Sequence, residues 1–222
     1  MDVVVDDEVL ALGLNVCVAR LAGLSLKKST PAIRALKKEI AAHVKADKPL
    51  EAVAVNENIL GFRELYAKVG AGGDGLTPSC EALVGMIHKS GALPTINTLV
   101  DLYNAISCRH LMTIGAHDRE QIVGTVRVGI TRGNERFVPL FATEAERVRA
   151  GEYAYMDDED ILCRLDVRQC HKTRIELGTT EAYVVSNNNP RIEKSDLVDA
   201  SQEVCDLARE LLGAEAEIVG VF

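Results

Sequence analysis

Three short polar side chains recur on one side of a helix predicted in the segment INTLVDLYNAIS. At 100° per residue, Asn97, Asp101 and Asn104 share that side, and the apolar residues between Ile96 and Ile106 occupy the other. A solvated helix face normally carries long charged side chains, so two amides and a carboxylate suit a face that positions a ligand or braces a neighbouring loop. The alternative is that Asn97 caps the helix and the other two side chains meet water. Both interpretations are open from these residues.

A second candidate group is cationic and lies between Arg164 and Arg174. If this segment is a strand, Arg168, Lys172 and Arg174 share one face, which could meet phosphate, while Gln169 and His171 share the other and could line a pocket. An exposed strand with one charged face explains the pattern equally well.

Several other chemistries are disfavoured by spacing. His110 and His117 lack metal-ligand spacing to another His or Cys, so we expect no metal and no cofactor. The glycines of AGGDG lack the phosphate-loop pattern, and the acidic turn from Asp157 to Asp160 lacks the calcium-loop pattern. None of the six cysteines forms a C-x-x-C pair, and a catalytic thiolate at Cys170, beside His171, is the minority interpretation.

Composition predicts a globular chain with an aliphatic core. The 222 residues are 47% apolar with no Trp, and no apolar run approaches the ~20 residues that cross a bilayer. The acidic amino terminus is unlike a secretory signal, so we expect a cytoplasmic protein without membrane association. The net charge of −8 argues against general nucleic-acid binding, although the first 50 residues carry more Lys and Arg than Asp and Glu.

The elements that must position these residues are mainly helices up to about residue 110 and mainly strands and turns after it. An amphipathic helix should begin at Thr30–Pro31 with Lys37, Lys38 and Lys45 outside, and another should follow Thr77, with Pro78 in its first turn. Ser195 should cap a C-terminal helix that ends at Gly213. Strands are predicted in the segments VVV, LNVCVARLAGL, VGTVRVGIT, FVPLF, EYAYM, ILCRL, VRQCHKTRIEL, EAYVVS and AEIVGVF. The segment ATEAERVRAGE is predicted as a surface excursion that could form a helix.

This order predicts an α+β fold, with helices packed on a mixed or antiparallel sheet and a cleft between the two halves. We expect one domain over residues 1–222: a helix-rich part at about 25–110, a sheet-rich part at about 111–190, and a C-terminal helix and strand at 195–222.

The central segment also resembles a known family. INTLVDLYNAIS is similar to a segment of the tRNA-editing B3/B4 domain in the β subunit of bacterial phenylalanyl-tRNA synthetase. FRELYAKVG, followed by PSCEALVGMIHKSGALPTIN, looks like the freestanding relatives of that module. The resemblance covers roughly residues 12–189, and it implies the B3/B4 fold.

The resemblance also implies a function and a pocket. Its pocket Asn corresponds to Asn104, its pocket His to Gly115 (with His117 two positions later), and its pocket Glu to Ser186. The implied activity is hydrolysis of the ester of a mischarged tRNA, which needs a positioned water and oxyanion donors more than dedicated acids and bases. The resemblance thus implies tRNA or aminoacyl-tRNA as the partner. A non-catalytic module that binds tRNA, an aminoacyl group or a small metabolite is the alternative.

Overall fold

The computed structural model describes residues 3–73 and 75–222. Helices predominate between residues 31 and 110 of the described chain and strands between residues 113 and 188, and a 3-10 turn covers Arg119–Gln121. The helices are α1 (Asp7–Leu12), α2 (Pro31–Asp47), α3 (Leu50–Ala54), α4 (Glu57–Lys68), α5 (Ser79–Ser90), α6 (Thr98–His110) and α7 (Lys194–Leu212). The strands are β1 (Val3–Val5), β2 (Asn15–Ala22), β3 (Thr113–Asp118), β4 (Val126–Ile130), β5 (Tyr153–Met156), β6 (Ile161–Arg164), β7 (Arg168–Gln169), β8 (Glu181–Asn188) and β9 (Glu215–Val221).

The strands form two sheets. The four-stranded sheet has the order β3-β8-β2-β9, and all of its neighbours are antiparallel. The five-stranded sheet has the order β1-β4-β5-β6-β7, in which β1 is parallel to β4 and the other pairs are antiparallel. Helices on mixed and antiparallel sheets make this an α+β fold, which confirms the predicted class.

Two hydrophobic cores separate the layers. The helix-side core lies between the four-stranded sheet and helices α2, α5, α6 and α7, and contains Ile114, Ala116 and Val184. The inter-sheet core contains Val185 of β8 and Tyr155 of β5 together with side chains of α4. Because side chains alternate along a strand, successive residues of β3 and β8 enter different cores.

Helix α2 confirms the predicted apolar stripe, since Ile33, Ile40 and Val44 are fully buried. Thr30 caps the helix by accepting a hydrogen bond from the Ile33 amide, at 3.2 Å. The prediction that Lys37 lies outside is wrong: its side chain is buried and reaches across to α6. Its long stem packs at the margin of the stripe while its charged end finds a carboxylate.

Two predicted helix starts are wrong by one or two residues. Helix α5 begins at Ser79 after Pro78, which has an extended backbone and provides no side-chain cap, so Thr77 is not the capping residue. Helix α7 begins at Lys194, and Ser195 lies inside its first turn. The residue that precedes it, Glu193, is held instead through its carbonyl, which accepts a hydrogen bond from the Asn188 amide.

Three segments predicted as regular structure are mainly turns. In FVPLF, Pro139 cannot donate to a ladder and Phe141 has φ +70°, so the chain turns there and forms no extended strand. Residues 142–152 contain no helix. The cationic strand ends at Gln169, because the Cys170 thiol accepts a hydrogen bond from the Thr173 amide and closes a local turn. Among the described residues, no helix is both long and apolar enough to cross a bilayer.

Candidate functional site

Asn97 has a structural task at the start of α6. Its side-chain oxygen accepts hydrogen bonds from the amides of Leu99 and Val100, and its Nδ2 donates to the carbonyl of Ile175 at 3.2 Å. The helix start is thereby fastened to the loop after β7. The structure therefore places Asn97 as the cap, which was the alternative interpretation of the polar stripe.

Both carboxylate oxygens of Asp101 are also bound by groups of the protein itself. One carboxylate oxygen lies 2.7 Å from Lys37 Nζ, and the other accepts a hydrogen bond from the Ile96 amide. The Lys37 ammonium donates in addition to the carbonyl of Pro94 and the hydroxyl of Thr95. Asp101 is completely buried, so this network braces α2 against α6 and leaves no free oxygen pointing to solvent.

Asn104 differs from the other two polar residues of α6. It is half-buried, and its amide makes no hydrogen bond to another residue in the described part of the chain. A partly buried amide without a protein partner is available to a ligand or to water. Its role as a pocket residue stays a prediction.

Strand β3 carries two further predicted residues on its inter-sheet side. Gly115 pairs with Val185, and a β-carbon built at Gly115 would meet no atom within 4 Å, so open space lies there. His117 lies two residues further along the same side, and its Nδ1 lies 2.7 Å from the Thr173 hydroxyl. Burial lowers the pKa of His117 to about 4, so the imidazole is neutral at physiological pH.

Ser186 and Asn187 point to opposite sides of the four-stranded sheet. Ser186 pairs with Ile114 and Cys17, both in the helix-side core, and is buried there, away from Gly115.

Asn187 faces the other way, where it donates to the Thr113 hydroxyl at 3.3 Å and accepts from the Tyr155 hydroxyl. The alignment that predicted Ser186 is therefore displaced by one residue from the polar side chain that accompanies Gly115. Both sides of β8 are buried, so alternation of polarity gave no signal for Asn187.

Gln169 closes the outer edge of β3. Its Nε2 donates to the carbonyl of Ala116 at 2.6 Å, and the Thr173 carbonyl accepts a hydrogen bond from the Asp118 amide at 2.9 Å. The space above Gly115, which we call the β3 cleft, is flanked along the sheet by Thr113, His117 and Asn187, while Gln169 contacts the carbonyl of the neighbouring Ala116.

A buried polar cluster that the sequence interpretation missed adjoins the inter-sheet core. The Asp166 carboxylate accepts a hydrogen bond from the Tyr153 hydroxyl at 3.0 Å, and the Tyr66 hydroxyl lies close by without a hydrogen bond of normal geometry. Burial raises the pKa of Asp166 to about 7, although the two phenols act in the opposite direction. Leu165 and Asp166 both have positive φ and form the turn between β6 and β7. Sequence offers little sign of this cluster, because its members come from α4, β5 and a turn.

The cations predicted to bind tRNA are paired with carboxylates of the same chain. Arg168 contacts Glu146 with two hydrogen bonds, at 2.5 and 3.0 Å, and Arg174 pairs with Glu176. The ammonium of Lys172 lies within 3.4 Å of carboxylate oxygens of three residues in the acidic turn, Asp157, Glu159 and Asp160. Their charges are thus largely compensated, and tRNA binding by them stays a prediction.

His171 lies apart from the β3 cleft. It lines a cavity of about 450 Å³ together with Arg136, Asp160 and Lys172, and its Nδ1 is buried without a hydrogen bond to the described residues.

Of the predicted substrate-binding residues, the structure therefore brings Gly115, His117 and Gln169 together. It assigns Asn97 and Asp101 to structural contacts, and it separates His171 and Ser186 from the cleft.

Comparisons with known proteins bear on this arrangement. The family model of the B3/4 domain matches residues 61–211 of this chain. The fold is similar to that of an N-terminal fragment of the phenylalanyl-tRNA synthetase β subunit from Pyrococcus horikoshii, with a TM-score of 0.54 and 12% sequence identity. That similarity covers 97% of this chain and 50% of the fragment, so the chain spans about half of the fragment's length. No curated protein sequence matches this chain.

The structural similarity, at such low identity, concerns the fold alone. The family match covers well over half of the chain and includes α5, α6, β3 and β8, which carry the β3 cleft and its surroundings. The chain belongs to the B3/4 domain family.

Proposed function

We propose that this protein is a trans-editing aminoacyl-tRNA deacylase, which hydrolyses the ester of a mischarged tRNA. The observation that supports the proposal most is the open space at Gly115, with hydrogen-bonded polar side chains on both sides of it. In this family resemblance Gly115 occupies the position of a pocket residue, and a glycine there leaves room for an aminoacyl group or the terminal ribose.

The surrounding groups suit ester hydrolysis without a strong base. With its proton on Nδ1, neutral His117 donates to the Thr173 hydroxyl, and Nε2 is left as an acceptor that can hold a water molecule. Asn104, whose amide makes no hydrogen bond to the described residues, corresponds in the resemblance to a pocket Asn, and we propose that it donates to a carbonyl or to the developing oxyanion. Positioning of water and substrate then provides most of the rate enhancement.

The test is deacylation of a panel of mischarged tRNAs by the wild type and two glycine variants. Gly115→Val should fold normally, because a β-branched residue suits a strand and has space there, yet it should slow ester hydrolysis more than tenfold by filling the cleft. Gly178→Val is the matched control, since Gly178 is exposed and a β-carbon there also meets no atom within 4 Å. Ester loss on none of the tRNAs would remove the proposal, and equal rates for both variants would remove the β3 cleft as its site.

One observation favours the second candidate, a non-catalytic aminoacyl or tRNA-binding module. The family's pocket His corresponds to a glycine, and the residue aligned with its pocket Glu is buried under the helices. In that case, charged tRNA binds and Gly115→Val weakens its binding, while the ester persists.

A further inference from the structure

The first 50 residues place unpaired cations along one side of α2. Arg34, Lys38 and Lys45 are exposed, and in the described part of the chain none of them forms an ion pair. They line a groove of about 490 Å³ between α2 and the turn from α5 to α6. Lys37 lines it as well, but its charge is held by Asp101.

The acidic residues of α2 lie on its opposite side. At 100° per residue Arg34, Lys38 and Lys45 fall within about 40° of each other, whereas Glu39 and Asp47 point away from them. Glu39 pairs with Arg109, and Asp47 pairs with His43. The sides of the helix therefore differ in charge, and no acidic side chain is among the described residues that line the groove.

The opposite wall of the groove is uncharged and contains small residues. It consists of Gly91, Ala92, Leu93 and Thr95, of which Gly91 has φ +90° and Ala92 is exposed. The Lys45 ammonium lies over Gly91, 3.4 Å from the position that a β-carbon would occupy. Small residues at this wall let a polymer backbone approach the three cations, which span about 16 Å along the helix axis.

We infer that this groove, and not the cationic residues around β7, receives the phosphate backbone of tRNA. The inference rests on the proposed function for the identity of the polyanion. A cationic side chain that neutralises a phosphate releases counterions condensed on the RNA, which favours binding, and a cation already paired with a carboxylate contributes less. On this acidic protein, Arg34, Lys38 and Lys45 provide a local positive surface, whereas Arg168, Lys172 and Arg174 are compensated.

The inference is tested with two triple variants that carry the same net charge. The groove variant is Arg34→Gln, Lys38→Gln and Lys45→Gln, and the control is Arg168→Gln, Lys172→Gln and Arg174→Gln. Binding of uncharged tRNA is measured by fluorescence anisotropy from about 50 to 200 mM salt, and melting temperatures establish that each variant is folded. The groove variant should bind at least tenfold more weakly, and its log–log salt slope should be smaller by about 2–3, the loss expected for three phosphate contacts. The control should change affinity less than threefold.

A charge-preserving variant, Lys38→Arg with Lys45→Arg, keeps the test independent of any loss of folding. It should bind as the wild type does. Equal losses in both triple variants, a greater loss in the control, or no tRNA binding by the wild type at 50 mM salt would overturn the inference. Deacylation assays on the same preparations separate the proposals: tRNA binding without ester loss contradicts the proposed function alone, whereas normal ester loss and affinity in the groove variant contradict the groove alone.

Discussion

Replacing Asp166 by Asn should stabilise the protein increasingly as the pH rises from 5 to 7. In the folded state burial raises the pKa of this carboxyl to about 7, from its ordinary value of 3.8. Between these values the unfolded chain has released its proton and the folded chain still holds it, so rising pH favours the unfolded state. Above about pH 7 both states are ionised and the cost of burying the charge stays constant.

The size of the effect follows from the width of this window. Two pH units at about 1.4 kcal/mol per unit set a ceiling of about 3 kcal/mol between pH 5 and 7. Asp166 is only partly buried as a residue, so we expect a change of about 1–2 kcal/mol. Asn keeps an oxygen that accepts a hydrogen bond from Tyr153, offers an amide N–H donor to the Tyr66 hydroxyl, and tolerates the positive φ of this turn.

The assay is urea unfolding of the wild type and Asp166→Asn at pH 5, 6, 7 and 8. The difference in unfolding free energy should grow up to about pH 7 and then level off. Glu144→Gln, which removes an exposed carboxyl, is the control and should show no such trend. A difference that is constant with pH, or that shrinks as the pH rises, would refute a buried carboxyl with a raised pKa.

Other substitutions probe the remaining contacts. Lys37→Met should cost about 3–5 kcal/mol of stability in urea unfolding, because it leaves Asp101 charged and buried, and Lys37→Met with Asp101→Leu should recover most of that loss. Equal losses of stability in the single and the double variant would show that the unpaired charge of Asp101 is not the cause of the loss. Asn104→Ala should weaken deacylation or ligand binding by an equivalent of about 1–3 kcal/mol with an unchanged melting temperature, and an unchanged activity would remove Asn104 from the site. Asn187→Ala should lower unfolding stability by about 1–3 kcal/mol, since it leaves the Tyr155 hydroxyl without its partner, whereas a change below 0.5 kcal/mol (about the resolution of such measurements) would contradict that contact's importance.

Elements with a clear apolar pattern were predictable from the sequence. The stripe of α2 follows the helical period, and β2 and β8 are short apolar runs, which is typical of strands buried on both sides. The segment around Phe137 was not, since it reads as an apolar run but contains a proline and a positive-φ turn that only its contacts explain.

The candidate site was harder to predict for a different reason. Gly115 was found only through a family resemblance, because a glycine in a strand carries no chemical signal of its own. Lys37 reads as a surface residue, and its burial depends on Asp101, 64 positions later in the chain. The choice between Ser186 and Asn187 required the strand register, which a motif alignment does not fix.

The four-stranded sheet also bears on how the chain folds. Its neighbouring strands β2 and β8 are joined through pairs such as Asn15 with Asn188, and β9 pairs with β2 from near the other end of the described chain. Such pairings require closure of very long loops before any ladder bond compensates for the lost entropy, and domains rich in them fold in milliseconds to seconds. During synthesis, β2 therefore cannot pair with β8 and β9 until these strands have left the ribosome. Until then its apolar residues lack their native strand partners, and transiently exposed apolar surface of this kind is prone to aggregation.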